Sequence, residues 1–200
     1  MLVKNVLVGL IFSSALALPA MAALKTGTSA PDFSAPASVA GKDYKFSLED
    51  ALKKGPVVVY FYPSAYTGGC NIEAHTFAIN MDKFAAAGTS VVGVSHDSIA
   101  RLNDYSADPE YCAGKFPVAS DPDGAIAKSF DLKVMDKQAG AKDTRGIDID
   151  HAFTERTTFV IAPDRKIVAV FSSADDKISP ADHVTKSLEA VKELAPSKEM

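Results

Sequence analysis

Hydrophobic residues along this chain form short unbroken runs that alternate with segments of helical periodicity. The runs Val57 to Tyr60 and Ser90 to Ser95 are rich in β-branched residues, which predicts two strands buried on both faces of a sheet. Between them, apolar residues recur at helical spacing and predict a helix; they are Ile72, Phe77, Ile79, Met81 and Phe84. Strand and helix therefore alternate in this part of the chain.

A β-hairpin and a long helix are predicted near the C-terminus. Thr157 to Ile161 and Ile167 to Phe171 are apolar runs that flank a turn containing Pro163. Pro180 to Leu194 carries apolar residues at helical spacing, with lysines and glutamates between them. Alternating strands and helices, followed by a hairpin and a last helix, predict an α/β fold of thioredoxin-like type with a central mixed β-sheet flanked by helices.

Weaker patterns predict the connecting elements. Val39 to Phe46 is typical of a short hairpin with a turn at Gly41-Lys42-Asp43, and the segment from Thr26 to Ser38 is expected to be a lead-in. Further predictions are a capped helical turn at Ser47 to Leu52, a helix from Ser98 that Asp108-Pro109 interrupts, a short strand within Phe116 to Asp121 and a brief helix from Ala125 to Phe130. The polar segment from Asp131 to Asp150 predicts no element.

The first 22 residues have the pattern of a secretory signal peptide. Lys4 precedes an almost wholly apolar run from Val6 to Leu18, and Pro19 to Ala22 supplies the small residues that a signal peptidase recognises. The run is short for a helix that spans a bilayer, which disfavours a retained membrane anchor. We therefore expect cleavage after Ala22 and a periplasmic protein, residues 23–200, without stable membrane association.

Composition indicates one globular domain. The chain has 200 residues, of which 47% are hydrophobic, and this is enough for a sizeable core. Its formal net charge is −4 and it has no run of basic residues, so a nucleic-acid partner is not expected.

Cys70 is the main candidate for chemistry. Pro63 ends the first predicted strand, and a turn with two glycines carries the chain to Cys70 at the start of the predicted helix. A thiol reacts as the thiolate, which the N–H groups and the positive dipole end of a helix favour. Thr67, three residues earlier, has a hydroxyl that can donate and accept hydrogen bonds near the sulfur. This placement predicts a reactive cysteine.

The pattern Pro63-x-x-x-Thr67-x-x-Cys70 after a hydrophobic strand resembles the peroxidatic-cysteine motif of the peroxiredoxins. Glu73 is similar to a glutamate of their bacterioferritin-comigratory-protein branch, and Arg156 resembles the arginine that reaches back to the cysteine pocket in this family. The resemblance extends over nearly the whole chain after the signal segment. It implies that the protein is an enzyme, a thiol-dependent peroxidase.

The resemblance implies two-electron reduction of hydrogen peroxide and organic hydroperoxides. The Cys70 thiolate attacks one peroxide oxygen, the other oxygen leaves as water or alcohol, and Cys70 becomes a sulfenic acid. Thr67 and Arg156 are implied to orient the peroxide and to stabilise the charge that develops on its oxygens, while Pro63 shields the thiolate. This chemistry requires no metal or organic cofactor. The implied partners are a peroxide and a thioredoxin-like or small-thiol reductant, and the implied assembly is a monomer or homodimer.

Regeneration of Cys70 depends on a second thiol. Many members of the resembled branch carry a resolving cysteine five residues after the peroxidatic one, where this chain has His75, and we expect His75 to lie on the helix surface. Cys112 is then the internal candidate, expected to form an intramolecular disulfide with Cys70 during turnover after local unfolding. The alternatives are that Cys112 is a buried bystander or pairs between chains, and that an external thiol resolves Cys70.

Two rival functions share the predicted fold. A thiol–disulfide oxidoreductase needs a Cys-x-x-Cys pair at the helix start, and Thr67 occupies the position of its first cysteine. A non-enzymatic or redox-sensing periplasmic domain would hold Cys70 and Cys112 in a structural disulfide, which is the usual state of two cysteines in an oxidising compartment.

The other histidines and one acidic segment do not have the spacing of a metal site. His96, His151 and His183 are far apart in the sequence and are expected to lie on the surface. Gly146 to Asp150 is weakly typical of a calcium loop, and a solvated loop is the favoured interpretation. No metal site is predicted.

Overall fold

The computed structural model describes residues 23–194, so the predicted signal segment, residues 1–22, lies outside the described residues. Within the described range the strands are β1 (Ser34–Val39), β2 (Lys42–Ser47), β3 (Val57–Phe61), β4 (Ser90–Ser95), β5 (Val118–Ser120), β6 (Val134–Met135), β7 (Phe153–Thr154), β8 (Thr157–Ile161) and β9 (Ile167–Ser172). The helices are α1 (Leu48–Leu52), α2 (Gly68–Ala86), α3 (Ile99–Ala107), α4 (Ala125–Ser129) and α5 (Pro180–Leu194).

Seven of these strands form one mixed sheet in the order β2-β1-β5-β4-β3-β8-β9. β3 pairs in parallel with β4 and β4 with β5, whereas β8 is antiparallel to β3. β3 is buried along its whole length, as its unbroken apolar run predicts. Helices cover both faces of the sheet, and the predicted thioredoxin-like α/β fold is confirmed.

The central strand β3 contributes to two hydrophobic clusters, one on each face of the sheet. On the first face, Phe77 of α2 and Leu188 of α5 lie in a cluster with Tyr60. On the second face, Leu52 of α1 lies in a cluster with Phe61. Successive side chains of a strand point to opposite faces, so β3 is fixed from both sides. The loop that follows β3 therefore starts from a rigid position.

Helix α2 begins where the sequence predicts, but it buries a different face. Cys70 lies in its first turn, and Phe77 is buried. Ile72 and Ile79, both expected on the apolar face, are 54% and 66% exposed. The inward face instead includes the carboxyl of Glu73, which is completely buried. A polar side chain with an internal partner can replace an apolar one on such a face.

The first hairpin is longer than predicted. β1 begins at Ser34, within the segment expected to be a lead-in, and pairs with β2 as far as Ser47. The turn lies at Ala40-Gly41, because these residues have φ of 50° and 76°, and a two-residue hairpin turn requires positive φ at both positions. Proline and small residues in β1 have low strand propensity, which is why its pattern does not indicate a strand.

The remaining elements agree closely with their predictions. Ser98 caps α3, and the helix ends at Ala107 before Asp108-Pro109. The segment from Asp131 to Asp150, where no element is predicted, contains β6, which pairs in a short antiparallel ribbon with β7 just beyond the segment. Among the described helices none is both long and apolar enough to cross a membrane.

Gly93 of β4 lies opposite Tyr60 of β3 and leaves room for its ring. A Cβ at Gly93 would lie 2.6 Å from Cζ of Tyr60, which is buried. We predict that Gly93→Ala lowers the free energy of unfolding by about 1 to 3 kcal/mol, measured by urea denaturation. Gly68→Ala, where an added Cβ meets open space, is the control and should change it by less than about 0.5 kcal/mol. Equal stability of the two variants would contradict this close approach.

Candidate active site

The loop after β3 delivers Cys70 to the first turn of α2. Thr67 has an extended backbone and is the N-cap of the helix, and its carbonyl accepts the N–H of Asn71 at 2.8 Å. Cys70 is the third residue of α2, so its sulfur lies by the end of the helix where backbone N–H groups lack intrahelical acceptors. The side chain is buried, with 1% of the residue exposed. The structure thus places Cys70 at the helix N-terminus, as the sequence predicts.

Arg156 approaches the sulfur from the neighbouring strand. It directly precedes β8, whose first residue, Thr157, pairs with Phe61 at the end of β3. The guanidinium Nη2 donates to Cys70 Sγ at 3.1 Å, and Nη1 donates to the carboxylate of Glu73. The predicted meeting of Arg156 with the cysteine pocket is therefore present in the structure. It arises because the end of β3 and the start of β8 lie at one edge of the sheet.

Glu73 is the second hydrogen-bond partner of Arg156, beside Cys70. Its carboxyl is completely buried, and Oε1 has no hydrogen-bond partner among the described residues. Burial raises the pKa of Glu73 to about 7, although the Arg156 guanidinium opposes the shift. Burial alone would lower the pKa of Arg156, but Glu73 and Cys70 together hold it above its usual range. The sequence pattern marks Glu73 by resemblance only and does not reveal its ion pair with Arg156.

His183 is buried beside Glu73, so the prediction that it lies on the surface is wrong. Its Nδ1 is 2.9 Å from Thr158 Oγ1 and 3.9 Å from Glu73 Oε1, and its Nε2 is 2.9 Å from Ser173 Oγ. Burial, with the nearby charge of Arg156, lowers the pKa of His183 to about 4. The imidazole is therefore neutral at ordinary pH and is held by the two hydroxyls.

Thr67 and Pro63 lie in the loop that joins β3 to α2. The Thr67 hydroxyl, predicted to form hydrogen bonds near the sulfur, donates to the Ser64 carbonyl at 2.9 Å. A hydroxyl that donates in this way still has lone pairs that can accept a hydrogen bond. Pro63 is half-buried and follows the end of β3. Gly69 lies against Arg156, since an added Cβ would be 3.2 Å from Nη2.

The buried carboxylate of Asp97 holds the loop between β3 and α2. Asp97, two residues after the end of β4, accepts the Ala65 N–H at 2.7 Å, lies 2.9 Å from His151 Nε2 and forms an ion pair with Arg101 Nε at 2.8 Å. Burial opposes ionisation of Asp97, but the hydrogen bonds with His151 and the Ala65 N–H hold its pKa below the usual value. Burial by itself would lower the pKa of His151, but the hydrogen bond and the charge of Asp97 outweigh burial, so the pKa is raised. Such a cluster has no signature in the sequence because its members are distant along the chain.

The surface predictions for His96 and His151 also need correction. His96 is buried, and neither of its ring nitrogens has a partner within the described part of the chain. His151 is only partly exposed because its ring faces Asp97. His75, in contrast, is exposed, as the sequence predicts.

The segment before β7 folds over the cysteine loop. Tyr66 has a left-handed backbone with φ of 61°, which is unusual for an aromatic residue. Its carbonyl accepts both the N–H and the hydroxyl of Thr144 at 2.9 Å, and the Arg145 guanidinium lies 3.3 Å above its ring. The Asp143 carboxylate joins this segment to Arg101 at 2.8 Å. A backbone conformation of this kind persists where neighbouring contacts hold it.

Cys112 is separate from the charged group around Cys70. It lies after the end of α3, in a series of turns over residues 108–115 that we call the Cys112 segment, and it is fully buried. Burial, reinforced by Asp108, raises the pKa of the Cys112 thiol well above its usual value. The two cysteine sulfurs are not bonded to each other, although both cysteines belong to the same hydrophobic cluster as Tyr105.

The described residues contain no group of three or more histidine, cysteine, aspartate or glutamate side chains placed to hold a metal ion. Within the segment considered for calcium, Asp148 forms an ion pair with Lys142 and Asp150 is exposed. Asp143 organises the loop by accepting the backbone N–H groups of Arg145 and Ile147 at 2.8 and 3.0 Å. The loop is thus closed by its own side chains.

Comparisons with known proteins agree with this geometry. Residues 26–170 match the AhpC/TSA family. Peroxiredoxin Bcp of Escherichia coli is 33% identical over 172 residues, which is 86% of this chain and 98% of that protein. The crystal structure of Peroxidoxin BcpB from Mycobacterium tuberculosis superposes with a TM-score of 0.70 at 32% identity, covering 86% of this chain and 98% of that one. Peroxiredoxin Q of Xanthomonas campestris gives a TM-score of 0.61 at 30% identity, with 80% and 90% covered.

The chain therefore belongs to the AhpC/TSA family of peroxiredoxins. Within this family its relatives are of the Bcp type, as the sequence predicts, and the protein is an oxidoreductase with thiol peroxidase activity.

The raised pKa of Glu73 makes stability depend on pH. The carboxyl has a pKa near 4.5 in the unfolded chain and about 7 in the folded protein. The cost of burying its negative charge is therefore absent below pH 4.5 and fully present above pH 7, where it lowers the free energy of unfolding. We predict that Glu73→Gln removes this penalty. The difference in free energy of unfolding between the variant and the wild type should then grow by on the order of 2 to 3 kcal/mol from pH 4 to pH 8. Urea denaturation across this range measures it, and parallel pH curves would contradict the assignment.

Proposed function

We propose that the protein reduces hydrogen peroxide and organic hydroperoxides at Cys70 and then forms an intramolecular disulfide with Cys112. The observation that carries the proposal is the 3.1 Å contact of Arg156 Nη2 with Cys70 Sγ at a helix N-terminus. A guanidinium in this position stabilises the thiolate before the reaction and the charge on the peroxide oxygens during it.

In the first step the Cys70 thiolate attacks the nearer peroxide oxygen. An S–O bond forms as the O–O bond breaks, the departing oxygen takes up a proton and leaves as water or alcohol, and the sulfur becomes a sulfenic acid. The Thr67 hydroxyl donates to Ser64 and can accept a hydrogen bond from the peroxide. Pro63 has no N–H and offers the thiolate no competing donor. Glu73 holds Arg156 in place from its other side.

In the second step the Cys112 thiolate attacks the sulfur of the sulfenic acid. An S–S bond forms, the S–O bond breaks, and the hydroxyl leaves as water after it takes up a proton. Both cysteines lie in one hydrophobic cluster, which favours this pairing over one between chains. Because Cys112 is buried with a raised pKa, its segment must open before the thiol can react. A thioredoxin-like or small-thiol reductant then restores both thiols by exchange.

The reductant belongs to the periplasm in this proposal. The apolar run from Val6 to Leu18 and the small residues up to Ala22 support export with a cleaved signal peptide. The functional protein would then be residues 23–200, acting as a monomer or homodimer. Cell fractionation with N-terminal sequencing tests this, and a product that stays in the cytoplasm with Met1 retained would contradict it.

Cysteine variants test the proposed cycle. With a slight excess of hydrogen peroxide added to the reduced protein, we expect rapid peroxide loss in the wild type and in Cys112→Ser, and none in Cys70→Ser. Mass spectrometry should detect a Cys70–Cys112 disulfide in the wild type and a sulfenic acid in Cys112→Ser. Wild-type protein that keeps its thiols and its peroxide would contradict the peroxidase assignment. A sulfenic acid that persists in the wild type would contradict resolution by Cys112 alone.

Arg156 variants test the stabilisation of charge. Removing a donor aimed at developing charge costs on the order of a hundred- to a thousandfold in rate, so Arg156→Met should slow the reaction of Cys70 with peroxide by that amount. Because the single variant leaves Glu73 buried without its partner, Arg156→Met/Glu73→Gln provides a folded, uncharged control. Stopped-flow measurement of sulfenic acid formation gives the rates. A double variant that reacts as fast as the wild type would exclude the proposed role of Arg156.

A further inference from the structure

The Cys112 segment is built of turns and lies outside the helices and strands. It contains two consecutive left-handed residues, Ala113 and Gly114, with φ of 51° and 66°. The Gly114 N–H donates to the Ser106 carbonyl at 2.8 Å, and the Tyr111 ring packs edge-on against Tyr66 at 5.7 Å between centroids. Turns outside helices and strands have low local stability, so opening of the Cys112 segment requires less free energy than opening of the sheet.

A histidine of α2 adds a hydrogen bond to this segment. His75 Nδ1 lies 2.9 Å from the carbonyl oxygen of Glu110, two residues before Cys112. A carbonyl oxygen only accepts, so Nδ1 carries the hydrogen, and this holds for the cation and for one neutral tautomer. The bond therefore does not require a charged histidine. It joins the Cys112 segment to the helix that carries Cys70.

The position of His75 on α2 shows which parts of the chain this bond holds together. His75 is five residues after Cys70, about 7.5 Å further along the same helix. Its exposed neighbours Ile72 and Ile79 lie on the same outer side of the helix. A bond at the surface can break without exposing the core, and this one attaches Glu110, two residues from the buried Cys112, to the helix that carries Cys70.

We propose that His75 is a positioning residue that restrains the Cys112 segment and thereby sets the rate of the second chemical step. This inference rests on the proposed function, because it requires Cys112 to resolve Cys70. In the sulfenic acid form, the His75–Glu110 bond breaks, the segment opens, and the Cys112 sulfur forms the S–S bond as the hydroxyl on Cys70 leaves as water. His75 takes no part in the reaction of Cys70 with peroxide.

The test compares His75→Ala with His75→Asn and with Ile79→Ala. Asparagine places its side-chain N–H near the position of Nδ1 and should restore the bond, while Ile79→Ala removes an exposed side chain of the same helix without affecting it. After one equivalent of hydrogen peroxide, we expect disulfide formation about two- to tenfold faster in His75→Ala than in the wild type, from the usual contribution of one hydrogen bond. His75→Asn and Ile79→Ala should match the wild type, and sulfenic acid should form equally fast in all four proteins.

Two further measurements distinguish the possible failures. Amide hydrogen exchange in the reduced protein should be faster over residues 110–113 in His75→Ala only, and this protein should accumulate less sulfinic acid at high peroxide because its sulfenic acid is consumed sooner. Unchanged disulfide formation in His75→Ala, with a normal disulfide in the wild type, overturns the role of His75 and leaves the proposed function intact. A wild type that never forms the Cys70–Cys112 disulfide overturns both.

Discussion

A buried guanidinium between two acidic groups is the constraint on which the site depends. The side chain of Arg156 is only 10% exposed and contacts both Cys70 and Glu73. A buried cation is costly unless it is paired, and here the carboxyl of Glu73 and the sulfur of Cys70 both accept hydrogen bonds from it. In the proposed cycle the thiolate charge disappears when the sulfur is oxidised, and Glu73 then remains as the partner. Arg156 can thus keep its position while Cys70 changes its chemical state.

The loop that carries Cys70 and the segment that carries Cys112 differ in the contacts that hold them. The loop that carries Cys70 is tied through Ala65 to the buried Asp97, and through Tyr66 to Thr144 of a distant segment. These contacts act on the backbone and do not touch the sulfur, so they fix the geometry of the loop without altering its chemistry. Cys112, by comparison, lies in turns outside the regular elements. The fold therefore combines a preorganised site at Cys70 with a Cys112 segment built of turns, and the proposed second step requires that segment to open.

The fold and the position of Cys70 can be predicted from the sequence because their signals are local, whereas Arg156 is indicated by resemblance to a family. An unbroken apolar run gives β3, a turn with Pro63 gives the helix start at Cys70, and a resemblance indicates Arg156 before β8. The buried histidines are predicted wrongly because burial of a polar ring depends on partners far along the chain. His183, for example, is satisfied by the hydroxyls of Thr158 and Ser173. The segment before β7 is unpredictable for the same reason, since side-chain contacts and not periodicity shape it.

The register between β3 and β8 has a consequence for how this chain tolerates changes in length. Thr157 pairs with Phe61, and a slip of one residue would turn Arg156 toward the other face of the sheet. The irregularity in the β8–β9 pairing lies between Val160 and Ile161, at the end of the sheet away from Cys70. An inserted or deleted residue in the β8–β9 turn can therefore be absorbed at that far end. An insertion between Arg156 and Thr157 cannot be absorbed in this way and would displace the Arg156 guanidinium from the Cys70 sulfur.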